Sequence, residues 1–498
     1  MAMGYPVTRA LYNVYFHPLA KFPGPKTWAM TRLRWVFSMV RGRHYHDIKD
    51  LHDKYGPVVR VAPDELSFID GQAWSDILTK KDGEPGLQKS QIIFDTQEFH
   101  SWFDKSDANH NRVRRGLAAS FAEPGLLKQE PLLALWVGRF VDKLHDAAAN
   151  NQTIDMMTWL NWLSFDIAGD MVFTESFDQL EQAASHPWIA MITSNLVYSS
   201  LATCIRFYPP LDRLMPLLAP PSLHKLKCEF VSMAKDKVER RLKRNNEKLP
   251  DTFSSVYQTF NMEEEPLDFN ALVGTFTSVM IASSETVATT LVALINFLDR
   301  TPHVQERLQQ EVRSVPDSRD LTMATTAAMP YLNAVIKEGL RLCHPITGAL
   351  ARFVPPGGKV IAGHFVPGNT YVGIPNYAAY HSASNFDSPE DFNPKRWLKD
   401  SNTSTHATAG YQPEDTSTVH NDAIFRPFSV GVHNCIGQSL ARAEMRLVLA
   451  HLVHEFDFEA VDMPRWDEQN CYFLVQKRPH LVRLRSVSGA LGHSEMGT

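Results

Sequence analysis

Residues 428–437 read Phe-Ser-Val-Gly-Val-His-Asn-Cys-Ile-Gly, and this stretch decides the fold. Downstream, apolar side chains recur at i, i+3, i+4 and i+7 over residues 449–456, so the sequence predicts a helix that begins just after Cys435. A cysteine that leads into a helix N-terminus lies near free backbone N–H groups and the positive end of the helix dipole. Both favour the thiolate over the thiol, and a thiolate is a metal ligand.

Two glycines flank this cysteine. Gly431 and Gly437 allow the backbone turns and the close approach that a flat macrocycle above the sulfur needs. A thiolate held in this way can serve as the axial ligand of a haem iron. The alternative is a buried structural cysteine, which is the commoner role of a lone Cys.

Composition bounds the rest of the chain. Its 498 residues are 44% hydrophobic and 21% charged, which excludes wholesale disorder. A formal net charge of -5 is too balanced for a dedicated nucleic-acid binder. No two of the five cysteines are spaced as Cys-x-x-Cys, so neither a disulfide framework nor a zinc ribbon is indicated.

The longest apolar run covers residues 271–298, and Glu285 is its only formal charge. An acid in the middle and many Ser and Thr residues favour a buried core helix over a membrane span. Helical patterns dominate elsewhere, at 129–148, 223–248, 304–312 and 329–342. Short strands are predicted at 58–62, 66–70, 359–361, 371–374 and 472–475. We expect one large, mainly α domain with small β-sheets, an exposed loop at 399–422 and a flexible tail.

The cysteine segment resembles the haem-binding loop of cytochrome P450 monooxygenases, Phe-x-x-Gly-x-Arg-x-Cys-x-Gly. The resemblance implies the cytochrome P450 fold, with a long central helix over haem b. It also implies that Cys435 is the axial ligand and that Phe428, Gly431 and Gly437 shape the cofactor loop. His433 stands where the family has Arg, so its contact with a haem propionate is expected to be weaker and to depend on pH.

Residues 282–287, Ala-Ser-Ser-Glu-Thr-Val, resemble the oxygen-activation motif of the same family. That likeness implies that Thr286 and Glu285 relay protons to the oxygen site. Ser283 replaces the family's usual Gly, and it either occupies space near the oxygen site or joins the relay. The structural alternative is that these hydroxyls only bond to carbonyls four residues earlier.

His110 and Arg114 are one helical turn apart and resemble the family's propionate-binding pair. Without the cysteine loop, a solvated basic turn would be an equal interpretation. Arg352 matches a further propionate position. By the same resemblance these three side chains hold the haem.

Glu338 and Arg341 are spaced at i, i+3, and Arg396 lies in a segment that resembles the family's Phe-x-Pro-x-Arg. The resemblance implies a buried structural network of these three charges. A buried cation needs such pairing, and a guanidinium can supply it through two parallel bonds. Its predicted role is to hold the segment that leads into the cysteine loop.

Residues 12–25 are similar to the segment after the membrane anchor of fungal microsomal members, in particular secondary-metabolite hydroxylases of the isotrichodermin-hydroxylase kind. We therefore expect a leader and Pro-rich hinge at 1–25 with the anchor missing or trimmed, a haem-thiolate monooxygenase domain at 26–485, and a tail at 486–498. The family implies the cytosolic face of the endoplasmic reticulum membrane, with peripheral contact for a chain without its anchor.

The resemblance implies hydroxylation of a small apolar terpenoid, polyketide or alkaloid with O2, by a monomer that receives electrons from a separate NADPH-cytochrome reductase. Oxidative cyclisation or coupling, redox-neutral isomerisation and non-catalytic haem binding remain alternatives. Candidate substrate-lining residues, which could equally be core residues, are Ile92, Ile93, Phe94, Phe103, Leu196, Phe207 and Phe473.

Overall fold

The computed structural model describes residues 4–80, 86–90, 92, 107–209, 211–214, 221–244, 252–261, 269–398 and 419–487. Helices dominate it, which confirms the mainly α prediction. In chain order the helices of the described residues are α1 Gly4–Tyr15, α2 Lys26–Met30, α3 Leu33–Val40, α4 His44–Tyr55, α5 Gln72–Leu78, α6 Asp107–Phe121, α7 Glu123–Ala149, α8 Met156–Phe173, α9 Gln179–Gln182, α10 Pro187–Arg206, α11 Pro221–Lys243, α12 Thr252–Asn261, α13 Phe269–Arg300, α14 Pro302–Val312, α15 Met323–Ala327, α16 Pro330–Leu342, α17 Asn376–Tyr380 and α18 Gln438–Glu455.

The strands are short, as expected for small sheets beside a helical body. In chain order they are β1 Val58–Ala62, β2 Glu65–Phe68, β3 Gln88–Lys89, β4 Thr153–Asp155, β5 Arg352–Phe353, β6 Lys359–Ile361, β7 His364–Val366, β8 Tyr371–Gly373, β9 Phe456–Ala460, β10 Cys471–Tyr472, β11 Leu474–Val475 and β12 Leu481–Ser486.

The chain divides into two compact units, each built from two separate stretches of sequence. The first unit contains Met1–Ser90 and Pro330–Cys435, and the second contains Gln91–Met329 and Ile436–Thr498. The chain therefore leaves the first unit directly after Cys435. The boundaries expected at residues 25 and 485 stay predictions.

In the first unit, a five-stranded sheet has the order β1-β2-β8-β5-β3. Strands β1 and β2 form an antiparallel pair, and β2 runs parallel to β8. All five residues of β1 are buried, because helices and loops cover both faces of this edge. Strands β6 and β7 form a separate hairpin. This sheet and the helices α4 and α5 enclose an apolar core around Phe68, Trp74 and Val372.

In the second unit, α13 is the central element. It is 32 residues long, and most of its side chains are buried, which confirms the prediction of a core helix. A helix that is apolar on nearly every side must be covered by other elements, and α8 and α18 pack against it. A three-stranded antiparallel sheet of order β4-β12-β9 completes this unit.

Two local predictions fail at element ends. Helix α18 begins just after the cysteine as predicted, but it ends at Glu455, and Phe456 opens β9. The predicted strand at 472–475 is two strands, because Phe473 has a left-handed φ of 74° and turns the chain into the hairpin β10-β11. Most of the predicted loop at 399–422 and of the tail lies outside the described residues.

Candidate active site

The cysteine loop closes on itself through backbone hydrogen bonds. The Ser429 N–H donates to the carbonyl of Arg426 at 2.9 Å, and the Cys435 N–H donates to the carbonyl of Phe428, also at 2.9 Å. Between them, Gly431–His433 forms a single 3-10 turn. The loop therefore presents Cys435 from a fixed backbone, and its side chain is exposed within the described chain.

Gly431 is the position where this loop tolerates no side chain. Its φ is +76°, and a Cβ would lie 2.3 Å from the carbonyl oxygen of Leu78. Backbone atoms cannot move aside cheaply, so the glycine sets how closely the loop approaches α5. Gly437 differs, because its φ of -84° is accessible to any residue and a Cβ would meet Phe121 at an ordinary 3.6 Å.

Two buried side chains hold the start of the loop. The Tyr380 hydroxyl accepts the Arg426 N–H at 3.1 Å. Burial lowers the pKa of His344, so its ring is neutral at physiological pH. Its Nε2 lies 2.8 Å from the carbonyl oxygen of Pro427 and its Nδ1 lies 2.6 Å from that of Ile346, so the ring is held between two backbone carbonyl groups.

The three charges predicted as a network lie together in the first unit. The Glu338 carboxylate accepts two bonds from Arg341, at 3.0 and 2.8 Å, and one from Arg396 at 3.1 Å. It also accepts the Asn393 N–H at 3.0 Å and the Trp397 indole N–H at 2.8 Å. Both members of the Glu338–Arg341 pair are fully buried. Every acceptor direction of the carboxylate is used, as a buried charge requires.

Burial opposes ionisation of Glu338, but the hydrogen bonds and charges of Arg341 and Arg396 outweigh it and hold the pKa of Glu338 below its ordinary value. The remaining Arg341 donors reach the carbonyls of Tyr380, Pro389 and Asp391 at 2.6 to 3.0 Å. The guanidinium thus ties α16 to the backbone that follows α17.

Trp397 connects this network to the cysteine loop. Its ring centroid lies 4.5 Å from that of Phe425, which in turn lies 5.3 Å from Tyr380. The sequence analysis missed this role, although Trp397 follows Arg396 directly. The signal was an aromatic residue with one polar hydrogen, a type that usually finds an acceptor when it is buried.

In the second unit, the middle of α13 carries one open stripe on an otherwise buried helix. Val279, Ala282, Ser283 and Thr286 are partly or fully exposed, whereas Ser284 and Glu285 are buried. These four positions fall on one helical face. The stripe coincides with the predicted oxygen-activation motif, and its residues are small or medium in size.

The hydroxyls of this motif bond to their own helix. Thr286 Oγ1 donates to the carbonyl of Ala282 at 2.7 Å, and Ser283 Oγ donates to that of Met280 at 3.1 Å. This is the structural alternative considered from the sequence. It leaves the Thr286 oxygen lone pairs at the exposed stripe, while the hydroxyl proton is donated to the carbonyl of Ala282.

Glu285 has a partner that the sequence did not reveal. Its Oε2 lies 2.6 Å from the Nζ of Lys477, and both side chains are more than nine-tenths buried. The ammonium also donates to Thr289 Oγ1 at 3.2 Å. Because 192 residues separate Glu285 and Lys477, no periodicity or local motif could have indicated the pair.

The predicted propionate ligands lie in both units. His110 is buried on α6, and Arg114 is half-buried one turn further along the same helix. Arg352 is buried on β5, where it donates to the carbonyl of Leu350 at 3.1 Å. His433 is half-buried in the cysteine loop.

The described residues fit the haem that the sequence resemblance implies. The loop offers an exposed thiol at a backbone position fixed by hydrogen bonds, and Gly431 removes the side chain that would thicken it. The second unit, described by itself, has a stripe of small side chains in the middle of α13 that is partly exposed. Thiolate, imidazole and guanidinium donors are the groups expected for the iron and the propionates.

Of the candidate substrate-lining residues, Ile92, Leu196, Phe207 and Phe473 are half-buried, which is compatible with a cavity wall as well as with a core edge. Ile93, Phe94 and Phe103 lie outside the described residues.

The chain is similar to known proteins over nearly its whole length. The family model described as Cytochrome P450 matches residues 23–484. Averantin hydroxylase of Dothistroma septosporum is 35% identical over 96% of this chain and 89% of its own length. Trichothecene C-15 hydroxylase of Fusarium sporotrichioides is 33% identical over 96% of this chain and 95% of its own length. A cytochrome P450 monooxygenase of Purpureocillium lilacinum, lcsI, is 35% identical over 98% of this chain and 93% of its own length.

Members of the family bind haem through a cysteine thiolate and receive electrons from a redox partner. The chain therefore belongs to the cytochrome P450 family, as a monooxygenase of the kind found in fungal secondary metabolism.

Proposed function

We propose that this monooxygenase hydroxylates a small apolar secondary metabolite, such as a terpenoid, polyketide or alkaloid. The observation that carries the proposal is the exposed Cys435 thiol at the end of a hydrogen-bonded loop, in a chain similar over nearly its whole length to an averantin hydroxylase and a trichothecene C-15 hydroxylase. The reaction converts a substrate C–H bond, O2, NADPH and a proton into the C–OH product, water and NADP+. One oxygen atom enters the product, and the other leaves as water.

The cofactor would be haem b, held at its iron by the Cys435 thiolate. When bound, the haem supplies the oxygen-activating chemistry. His110, Arg114, Arg352 and His433 would hold its propionates through charge-assisted hydrogen bonds. Because His433 replaces an Arg, one of these contacts depends on the protonation of an imidazole.

The proton-handling residues are Thr286 and Glu285, with Ser283 beside them. Thr286 Oγ1 lies on the open stripe of α13 and is bonded to a backbone carbonyl, so it can receive a proton on its lone pair as it passes its own onward. Glu285, the acid of this motif, supplies protons to the hydroxyl from the buried side of the helix.

A reduced, carbon monoxide-bound visible spectrum of the purified protein tests the thiolate. We expect the strongly red-shifted Soret band of a haem-thiolate protein, and its loss in Cys435→Ala. Cys228→Ala is the matched control, because it removes another exposed thiol and should leave the band unchanged. A red-shifted band that persists in Cys435→Ala would refute the assignment.

Oxidative ring formation or coupling is a second candidate, favoured by Ser283, which stands on the open stripe where the family has Gly. Changing Ser283→Gly should then alter the distribution of products. An unchanged distribution of products would contradict this second candidate and leave hydroxylation as the proposed reaction. Substrate-dependent NADPH consumption separates both reactions from a redox-neutral isomerisation.

We further propose that the protein works as a monomer on the cytosolic face of the endoplasmic reticulum membrane, with NADPH-cytochrome reductase as its electron donor. The helices α1 and α3 expose many large apolar side chains, among them Tyr5, Val7, Leu33 and Phe37. The first 46 residues contain seven Lys or Arg and no Asp or Glu. An apolar surface with a positive charge suits an anionic membrane interface.

In the part of the chain that the structure describes, two helices, α10 and α13, are long and apolar enough to cross a membrane, and core helices of soluble proteins pass the same test. In α13, 67% of the apolar window is buried inside the protein. The membrane contact is therefore assigned to α1 and α3. Flotation with vesicles of phosphatidylcholine and phosphatidylserine tests it: Leu33→Ser with Phe37→Ser should reduce binding, whereas Val461→Ser, at an exposed apolar site of the second unit, should not. Equal flotation of both variants would refute the surface.

A further inference from the structure

The Glu285–Lys477 ion pair is built into the second unit from two distant elements. Glu285 lies in the middle of α13, and Lys477 lies in the connection between β11 and β12. Nζ and Oε2 are 2.6 Å apart, and the two side chains are 5% and 9% exposed. Such a buried pair is costly to desolvate, so stability alone is a weak reason for its presence.

The backbone around Lys477 is clamped on both sides. The Gln476 N–H donates to the carbonyl of Asn470 at 2.8 Å, and the Arg478 N–H donates to the side-chain oxygen of Gln469 at 2.9 Å. Gln469 is itself buried. These bonds fix the backbone of Lys477. The connection between β11 and β12 therefore places the ammonium against α13, whereas the side chain of a surface lysine would be mobile.

The carboxylate has one cationic neighbour. Among the residues that the structure describes, Lys477 is the only charged side chain in an ion pair with Glu285. Of the helices packed against α13, α8 and α18 carry buried acids with their own surroundings: Asp166 accepts the backbone N–H groups of Phe177 and Leu180, and Glu444 is buried beside Ser164. The direction of the Glu285 carboxylate is therefore set by Lys477.

We propose that Lys477 is a positioning residue for proton delivery, whose ammonium holds the Glu285 carboxylate in place next to the Thr286 turn. This rests on the proposed function, in which Glu285 and Thr286 handle protons. A buried carboxylate without a cation favours its protonated form. Loss of the ammonium would thus change how many Glu285 side chains can take up a proton from solvent and pass it on at a given pH.

The test uses holoenzyme with NADPH, an NADPH-cytochrome reductase and no substrate, and measures hydrogen peroxide released per NADPH consumed. Between about pH 6 and pH 8.5 we expect the ratio in Lys477→Met to differ from that of the unaltered protein by about threefold or more at one end of the range, because loss of the ammonium leaves a buried carboxyl group without a cation. Lys477→Arg retains the charge and should restore the ratio of the unaltered protein. Arg478→Met is the matched control, since it removes the next cation of the same connection, whose partner Glu468 is at the surface.

A second readout does not depend on turnover. In Lys477→Met the urea midpoint should fall more steeply with rising pH than in the unaltered protein, because the folded variant then holds a proton on Glu285 that the unfolded chain has released. The double variant Glu285→Gln, Lys477→Met should lose this additional pH dependence. If Lys477→Met yields too little protein, Lys477→Gln, which keeps a hydrogen bond but no charge, replaces it.

The inference would be overturned by a Lys477→Met or Lys477→Gln protein that has a normal carbon monoxide spectrum and behaves like Arg478→Met. Its ratio of hydrogen peroxide to NADPH and its urea midpoint would then equal those of Arg478→Met at every pH. That result would leave the monooxygenase assignment intact, because the spectrum tests the thiolate separately. Loss of the red-shifted band in the unaltered protein would instead refute the proposed function.

Discussion

Replacing Glu338 by Gln should destabilise the first unit more than any other single change in an ion pair described above. The substitution keeps the size of the side chain and removes its charge. Arg341 and Arg396 then stay buried without a carboxylate, and the new amide N–H₂ faces guanidinium donors. Breaking a buried pair by removal of one partner costs about 3 to 5 kcal/mol. A folded domain has about 5 to 15 kcal/mol in total, so the yield of folded protein should fall as well.

Urea unfolding followed by circular dichroism measures this loss. Asp53→Asn is the matched control, because its ion pair with Lys49 is also one helical turn apart but lies at the surface. It should cost no more than about 0.5 kcal/mol. A Glu338→Gln protein within about 1 kcal/mol of the original would refute the reasoning, since that is less than one buried charge-assisted hydrogen bond.

The pH dependence gives an independent check on the same residue. Because the pKa of folded Glu338 lies below its ordinary value, its contribution is present above the unfolded pKa and is lost as the pH falls through the folded pKa. Glu338→Gln should therefore be less sensitive to acid than the original protein. An identical acid transition in both proteins would contradict the direction of the shift.

Three further changes have defined outcomes. Burial raises the pKa of Glu444 to about 8, against a smaller opposite effect of the Ser164 hydroxyl. The contribution of Glu444 to the free energy of unfolding should thus be fully present below the unfolded pKa and fall by up to about 4 kcal/mol as the pH rises toward 8. Glu444→Gln should flatten this decline in urea titrations. An unchanged dependence of the unfolding free energy on pH would contradict the prediction. Gly431→Ala places a Cβ against the Leu78 carbonyl at a positive φ, so it should lower the red-shifted carbon monoxide signal per protein, and a normal signal would contradict the crowding. Trp397→Phe removes one bond to the buried carboxylate and should cost about 1.5 to 3 kcal/mol of unfolding free energy, whereas a loss below about 0.5 kcal/mol would show that the bond is replaced by water.

The sequence predicted those structural elements that are determined by residues close together in the chain. The apolar run at 271–298 predicted α13 because a long helix without polar faces has to be buried. The start of α18 followed from its spacing, but its end at Glu455 did not, because Phe456 continues the apolar pattern into a strand that pairs with β12. Phe473 interrupts a predicted strand because it adopts a left-handed φ. The sequence could not predict this, since a phenylalanine rarely has that conformation.

The sequence predicted the motifs of the candidate site, but it did not predict which residues elsewhere in the chain contact them. The spacing around Glu338, Arg341 and Arg396 came from a resemblance, and all three charges lie in hydrogen-bonding contact. Lys477 was invisible, because its contact with Glu285 joins residues that are far apart in the chain. The two compact units were invisible as well, since no change of composition marks the points where the chain passes from one to the other.

That interleaving has a consequence for synthesis on the ribosome. The first unit needs Pro330–Cys435 in addition to Met1–Ser90, so its first stretch must wait while Gln91–Met329 emerges. At about 5 to 20 residues per second this delay is roughly 10 to 50 seconds. Cys435 is the last residue of that unit, and the loop that carries it cannot close before almost the whole polypeptide has been translated. Cofactor loading at this thiol is thus a late event in the life of the nascent chain.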